Sequence, residues 1–471
     1  MHQPRLLAIT CSLLCSIAVI KAQVNTLYYM ENVPARTNLN PAFIPVQKFY
    51  IDLPVISGVA FSVGNNSLTA QDIVVKKGDE LVSALQQNSD HTPFLNSLKG
   101  MNNITSETRV NILGFGFKTS QGYFTFGLSD RYQLGINVPK SLVDVLFNGS
   151  PDPSEAKSYN LQKVGLAASA FLEAAFGYAR KVDEDWTVGG KFKLLFGQAH
   201  ADMSFSKLGM DVTDQTISLY GDGGGHFTVP VNVSERNDDG LPYINDADMK
   251  LKSMLHPVGF GAAVDAGVTY SYDENITFSA SLTDIGLIHW NKSSWKAQMK
   301  ANTTYQSWDF TLNNSNSNWT NQVSDSLQKA YKATFDDKNG YVTMLTATAR
   351  AGAEYKVLKN EITLGLLLTK TFGQRFRYDE VTASANFRPA YWTNASVSYG
   401  LVNGNMHTVG LGLNFIAGPV NFFVITDYLP FSYTDNGIPY KSKYVNGQVG
   451  ISLAFMQRIP KQVCHCESIR E

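Results

Sequence analysis

The sequence predicts an all-β chain that closes into a transmembrane antiparallel β-barrel of about 14 strands with long extracellular loops. Three observations carry this reading. Apolar and polar residues alternate with a period of two over many long segments. The connections between those segments alternate between tight turns and long polar stretches. The composition is poor in charge and rich in aromatics, yet past residue 22 no apolar run reaches the ~18 residues a spanning helix needs.

Charged residues make up 17% of the 471 residues, where a soluble chain carries roughly 25%. Lys and Arg total 39 against 40 Asp and Glu, for a net charge of −1. That balance lacks the basic excess of a nucleic-acid binder and the polar bias of a disordered chain. Aromatics reach 12%, and mean hydropathy is −0.13.

The elements follow in chain order. Residues 1–22 carry Arg5, an apolar stretch from Leu6 to Ile20 and the small residue Ala22. A basic start, a short apolar core and a small residue before the cut describe a secretory signal peptide. Cys11 and Cys15 lie inside that core, so the mature chain keeps only Cys464 and Cys466. Two cysteines cannot form a disulfide scaffold, and an export signal removes cytosolic enzymes from consideration. Residues 23–48 form a segment ahead of the first strand, residues 49–455 the barrel, and residues 456–471 a periplasmic tail.

Strand alternation is clearest from Tyr123 to Val138, where Phe124, Phe126, Leu128, Tyr132, Leu134 and Ile136 alternate with polar or small residues. Successive strand side chains point to opposite faces, so one face is apolar and the other polar. Such segments recur at about 49–63, 107–118, 121–138, 160–181, 185–205, 257–272, 275–289, 341–356, 361–373, 377–388, 392–400, 406–414, 418–428 and 446–455. Tight turns fall at Thr119-Ser120, Asp183-Glu184, Asp273-Glu274, Lys359-Asn360, Pro389 to Tyr391 and Ala417-Gly418. Long connections separate most of them, with helical patterns at Ala70 to Gln87 and Asn321 to Thr334, but two polar connections, near Gly373 and near Asn403, are short where the alternation calls for long ones. Short periplasmic turns, long outer loops and an even strand count are the pattern of bacterial outer-membrane barrels, and an even count places both termini in the periplasm.

Directly before the first strand stands Leu39-Asn40-Pro41-Ala42-Phe43. An Asn-Pro-Ala in that position resembles the long-chain fatty-acid transporter class of outer-membrane barrels. The whole chain is similar to an uncharacterised, domain-of-unknown-function family of Gram-negative barrels in the same broad class. The similarity rests on Tyr28-Tyr29-Met30 through Thr37-Asn38-Leu39-Asn40-Pro41, on Thr283-Asp284-Ile285-Gly286 to Trp290, and on Val424-Ile425-Thr426-Asp427-Tyr428. The resemblance implies a luminal plug carrying Asn40, Pro41 and Ala42. With about 25 residues before the first strand, a partial plug is expected. It also implies a lateral exit at a kink in the third strand, where Asp130 breaks the apolar face. The plainer expectation puts Asp130, like Asp284 in the seventh strand, on the lipid side near the outer interface.

Alternation assigns Arg131, Glu173, Lys191, Lys193, Asp265, Arg350, Glu354 and Arg388 to the inner face. These charges line a ligand path or close the lumen by pairing with one another. Enzyme readings find no support. Ser204-Phe205-Ser206-Lys207 lacks a following Lys-Thr-Gly, Gly221 to Gly225 is followed by His226 rather than a glycine and a helix, and no Ser/His pair stands out on one face. Asp238, Asp239, Asp246 and Asp248 are read as a solvated loop rather than a calcium site. Cys464-His465-Cys466 is too short for a zinc site, so no metal and no cofactor is expected. The expected partners are outer-membrane lipid, a small hydrophobic molecule and a protein at the outer loops, with no nucleic acid. The sequence thus points to a non-enzymatic outer-membrane barrel for passive uptake or binding of a small hydrophobic ligand. The alternative is a non-transporting barrel acting as anchor or partner in a surface or secretion assembly.

Overall fold

The computed structural model describes residues 24–53, 58–77, 80–84, 91–148, 157–213, 216–229, 233–235, 242–244, 257–290, 294–306, 332–336, 340–358, 361–373, 379–404, 406–429 and 443–457. The expected signal peptide, the four loop aspartates and the cysteine tail lie outside them.

Fourteen antiparallel strands close on themselves. β1 runs in two pieces, Gln47–Asp52 and Val59–Asn65. β2 is Met101–Lys118, β3 Tyr123–Pro139, β4 Gly165–Lys181 and β5 Trp186–Val212. β6 is Gly259–Ser271 and β7 Ile276–Trp290. β8 comprises Tyr341–Met344 and Ala347–Leu358. β9 is Ile362–Phe372, β10 Asp379–Ala390 and β11 Thr393–Val402. β12 is Met406–Ala417, β13 Val420–Thr426 and β14 Tyr444–Gln457. The ring is sealed where β14 pairs with both pieces of β1, with Phe455 opposite Phe49 and Val449 opposite Val59.

The two faces are sharply divided. In β9 every second residue from Thr363 is buried and every second from Leu364 exposed. Phe124, Phe176, Phe192, Phe260, Leu366 and Val424 all stand exposed on the outer face. A large exposed apolar surface on a closed barrel is stable only against lipid. Trp186, Tyr272, Tyr355, Tyr391 and Trp392 cluster at the short-turn end, where amphipathic rings suit the membrane interface. One turn there demands a positive φ: Gly418, at +60°, reverses the chain between Ala417 and Val420.

Two loop expectations change. The helical pattern at Ala70 to Gln87 holds a helix only over Ala70–Ile73, followed by the hairpin Val74–Lys77 and Glu80–Ser83. Val74, Val75 and Val82 favour a paired strand over a helix because their β-branched chains crowd a helical turn. Residues 321–331 lie outside the described residues, and Lys332–Asp336 is a strand. The glycine-rich run Gly221 to Gly225 lies in a strand, Thr216–Thr228, that pairs with the far end of β5 and with Ser294–Gln306. Ser204 to Lys207 lies inside β5 rather than at its end.

Candidate functional site

The lumen is occupied. From Val24 to Phe43 the chain forms two short 3-10 turns, Asn25–Tyr29 and Pro34–Asn38, and is buried along nearly its whole length. Val24, Leu27, Met30, Val33 and Leu39 pack with the inward-facing Leu367, Phe423 and Ile425. Burying each such side chain is worth about 1.5–3 kcal/mol relative to exposure.

Polar contacts fix the segment along the barrel axis. Asp427, at the long-loop end, accepts from the backbone N–H groups of Asn25 and Thr26 at 2.7 and 2.8 Å, and Glu380 accepts from the Asn25 amide at 2.7 Å. At mid-height the Tyr29 hydroxyl donates to the Leu366 carbonyl at 2.7 Å. Near the short-turn end the Asn32 carbonyl accepts from Asn421 at 2.8 Å. In the tripeptide singled out by the sequence, the Asn40 side-chain oxygen accepts the Ala42 N–H at 2.9 Å, and its amide donates to the Tyr28 hydroxyl and the Ala280 carbonyl, both at 3.3 Å. Two glycines make room for it, since a side chain at Gly267 would collide with Asn40 and one at Gly189 with the Pro41 carbonyl.

All eight inner-face charges named from the sequence project inward. Beside the segment, Lys191 donates to Asn38 at 2.7 Å, Arg350 donates to the Leu39 carbonyl at 3.4 Å, and Arg388 pairs with Glu31. Glu354 is buried on the same wall. The remaining four join a buried ionic cluster that also contains Glu107, Arg109 and Asp284. Arg131 bonds Glu107 at 2.8 Å, Glu173 at 2.9 Å and Asp284 at 3.0 Å. Lys193 bonds Asp284 at 2.6 Å and Asp265 at 2.7 Å, and Arg109 bonds Glu173 at 2.5 Å. Every member pairs with opposite charge, which is the condition for burying charge at all.

Asp284 corrects an expectation: it faces the lumen, with 1% exposure, rather than lipid. β7 carries an extra residue there, with Thr283 and Asp284 set against Asp265 alone, and Asp284 takes a φ of +61°. Short polar residues tolerate that conformation, and an inserted residue switches which parity faces inward. Phe278 and Leu282 face outward before the bulge, and Ile285 and Leu287 after it.

The kink expected at Asp130 is absent. β3 pairs with β4 without a register break from Tyr123 to Asn137, and Asp130 stands opposite Leu172 and Val110. Its Oδ2 accepts the Tyr132 hydroxyl at 2.7 Å, while its Oδ1 is buried without a hydrogen-bond partner among the described residues, and the strand stays in register. The break lies one strand away: β2 carries an extra residue, Ile112, and the pairing of β1 with β2 changes register between Asp52, opposite Gly114, and Val59, opposite Val110. A cavity of about 40 Å³ lies there, between Pro34 to Asn38 and the wall.

Beyond the ionic cluster, toward the long-loop end, a second cavity of about 260 Å³ is lined by Ser169, His200, Asp202 and His226 and by Phe171, Ile288 and Leu345. The sequence reading missed this group. Ser169 and His200 are neighbours across the β4–β5 ladder, 2.8 Å apart. A bulge at Gln198 brings His200 and Asp202 inward, whereas Lys191 and Lys193 face inward before it. The signal was present: polar residues change from odd to even positions within one strand.

A closed barrel with a lipid-type outer face and a filled polar lumen is a membrane β-barrel. The chain belongs to the Family of unknown function (DUF5723), which it matches over residues 41–427. No curated protein matches it. Among solved structures it is similar in fold to a TodX monoaromatic hydrocarbon channel mutant lacking S2 and S3 (9% identity, 89% of this chain, 94% of that one, TM-score 0.44). It is similar also to the Pseudomonas putida toluene transporter TodX (8%, 90% and 92%, 0.40) and to a Pseudomonas aeruginosa FadL homologue (10%, 93% and 100%, 0.37).

Proposed function

We propose that the protein is an outer-membrane barrel for passive uptake of a small hydrophobic ligand, closed at rest by its N-terminal segment acting as a plug. The observation that carries this reading is the cavity between the plug and the wall at the β2 bulge. It is lined by inward-facing Thr125 and Lys191 together with outward-facing Leu113 and Phe126, so it touches both faces of the wall. A side exit for ligand therefore belongs at the β2 bulge, not at Asp130. Ahead of its covalent junction with β1 the plug is held by hydrogen bonds, the Arg388–Glu31 ion pair and apolar packing, so it can be displaced.

A second reading, a non-transporting anchor or assembly partner, is favoured by the ionic cluster, which braces the lumen across β2 to β7. Native mass spectrometry of the purified protein separates the two. Uptake predicts a copurified small apolar molecule, and the anchor reading predicts a stoichiometric protein partner with no such molecule. Planar-bilayer conductance adds an independent measure: a plugged transporter is closed as isolated and opens when the plug contacts are removed.

A further inference from the structure

The larger cavity sits on the far side of the ionic cluster from the β2 bulge, and its chemistry is specific. Trp290 stacks on one side of the His200 ring with centroids 5.1 Å apart, and Tyr341 lies against it with centroids 5.6 Å apart. His200 Nδ1 is engaged by the Ser169 hydroxyl, while Nε2, on a side chain 6% exposed, makes no hydrogen bond among the described residues. The nearest acid, Asp202, has one oxygen 3.5 Å from that nitrogen and 3.2 Å from His226 Nδ1. Tyr341 is itself fixed by Thr228, at 2.9 Å, and packs on His226. A held imidazole nitrogen and a carboxylate thus face a space whose remaining walls include Phe171 and Ile288.

From this geometry we infer that the cavity binds a neutral amphiphile whose apolar body carries a hydroxyl, and that it discriminates against carboxylates. The hydroxyl donates to Asp202 and accepts from His200 Nε2, and the body lies against Phe171 and Ile288. A carboxylate has no proton for Asp202 and brings a second negative charge beside it, which is unfavourable in a partly desolvated site. Size sets the body: a cavity of ~150 Å³ accommodates benzene, so about 260 Å³ suits two fused rings. The inference deepens the uptake reading and rests on it.

The test is equilibrium binding of 2-naphthol, naphthalene and 2-naphthoate to the purified full-length barrel, with heat-modifiable gel mobility verifying the fold of each variant. The expected order is 2-naphthol tightest, naphthalene about tenfold weaker, as one hydrogen bond to a charged group is worth, and 2-naphthoate weakest. Asp202→Asn narrows the gap between 2-naphthol and 2-naphthoate by raising naphthoate affinity, a change that loosened packing would not produce. Leu345→Trp, which fills the space, abolishes 2-naphthol binding in a folded barrel. The inference is overturned if wild type binds naphthoate as well as naphthol, if Asp202→Asn leaves their ratio unchanged, or if wild type binds none of the three. Copurified apolar ligand alongside any of those results leaves the uptake reading standing and removes only this site.

Discussion

Asp265 accepts a hydrogen bond from the backbone N–H of Asp284 at 2.7 Å, and both carboxylates hold Lys193. One acid thus stabilises the bulge that turns the other inward, and the same pair anchors the ionic cluster. Asp284→Ala leaves Arg131 and Lys193 short of a buried counter-charge, and removing one partner of such a pair costs about 3–5 kcal/mol. Urea unfolding in detergent is expected to show that loss. The double variant Asp284→Ala/Lys193→Met is expected to lose less than the sum of the two single changes.

Gly267 is the floor on which Asn40 rests. Gly267→Val is expected to push the plug off its seat while leaving the β6–β7 and β5–β6 ladders intact. The variant should conduct in planar bilayers where wild type is closed, and added protease should cut within residues 24–46. Unchanged conductance with a folded barrel would count against the plug.

Asp427 gathers the backbone of Asn25 and Thr26 and the Thr26 hydroxyl, the last at 2.6 Å. Asp427→Ala is expected to release the long-loop end of the plug first. Hydrogen exchange should rise at Asn25 and Thr26 by at least tenfold, with little change at Asn40, which has its own anchors.

In the outer connection between β1 and β2, burial works to raise the Asp72 carboxyl. Hydrogen bonds donated by Ser97 and Thr69, with the charge of Lys443, outweigh it and hold the group below its ordinary range. A depressed folded-state pKa contributes stability that is present above the unfolded carboxyl value and lost as pH falls through the folded one. Exchange at the Thr69 N–H, bound to Asp72 at 2.7 Å, should therefore accelerate on acidification below the ordinary carboxyl range. Asp72→Asn should remove that pH dependence.

Much of this architecture was legible because period-two alternation is a direct image of a wall with lipid on one side. Arg131, Glu173 and Arg350 were placed by parity alone, and parity held as long as each strand was regular. It failed at Asp284, and it reverses again ahead of His200, where one inserted residue exchanges the faces for the rest of the strand. Bulges leave a trace, since polar positions change parity across them, but that trace is one residue wide. Asp130 misled in the opposite sense: an acid on an apolar face signalled a kink, whereas the strand keeps its register and a neighbouring tyrosine bonds one carboxylate oxygen. The contacts among Ser169, His200 and His226 depended on ladder register between strands, which no single segment encodes.

The seam between β1 and β14 has a consequence for assembly. The plug precedes β1 in the chain, and β1 is joined to the final strand, so the ring is completed only after the whole barrel has been synthesised. The leading segment is therefore made before the ring exists and can settle among the strands before that seam zips. Once enclosed, the segment stays tethered at Gln47, on the seam itself. Even fully displaced, it remains at the high effective concentration of a short tether, and reclosure needs no second molecule.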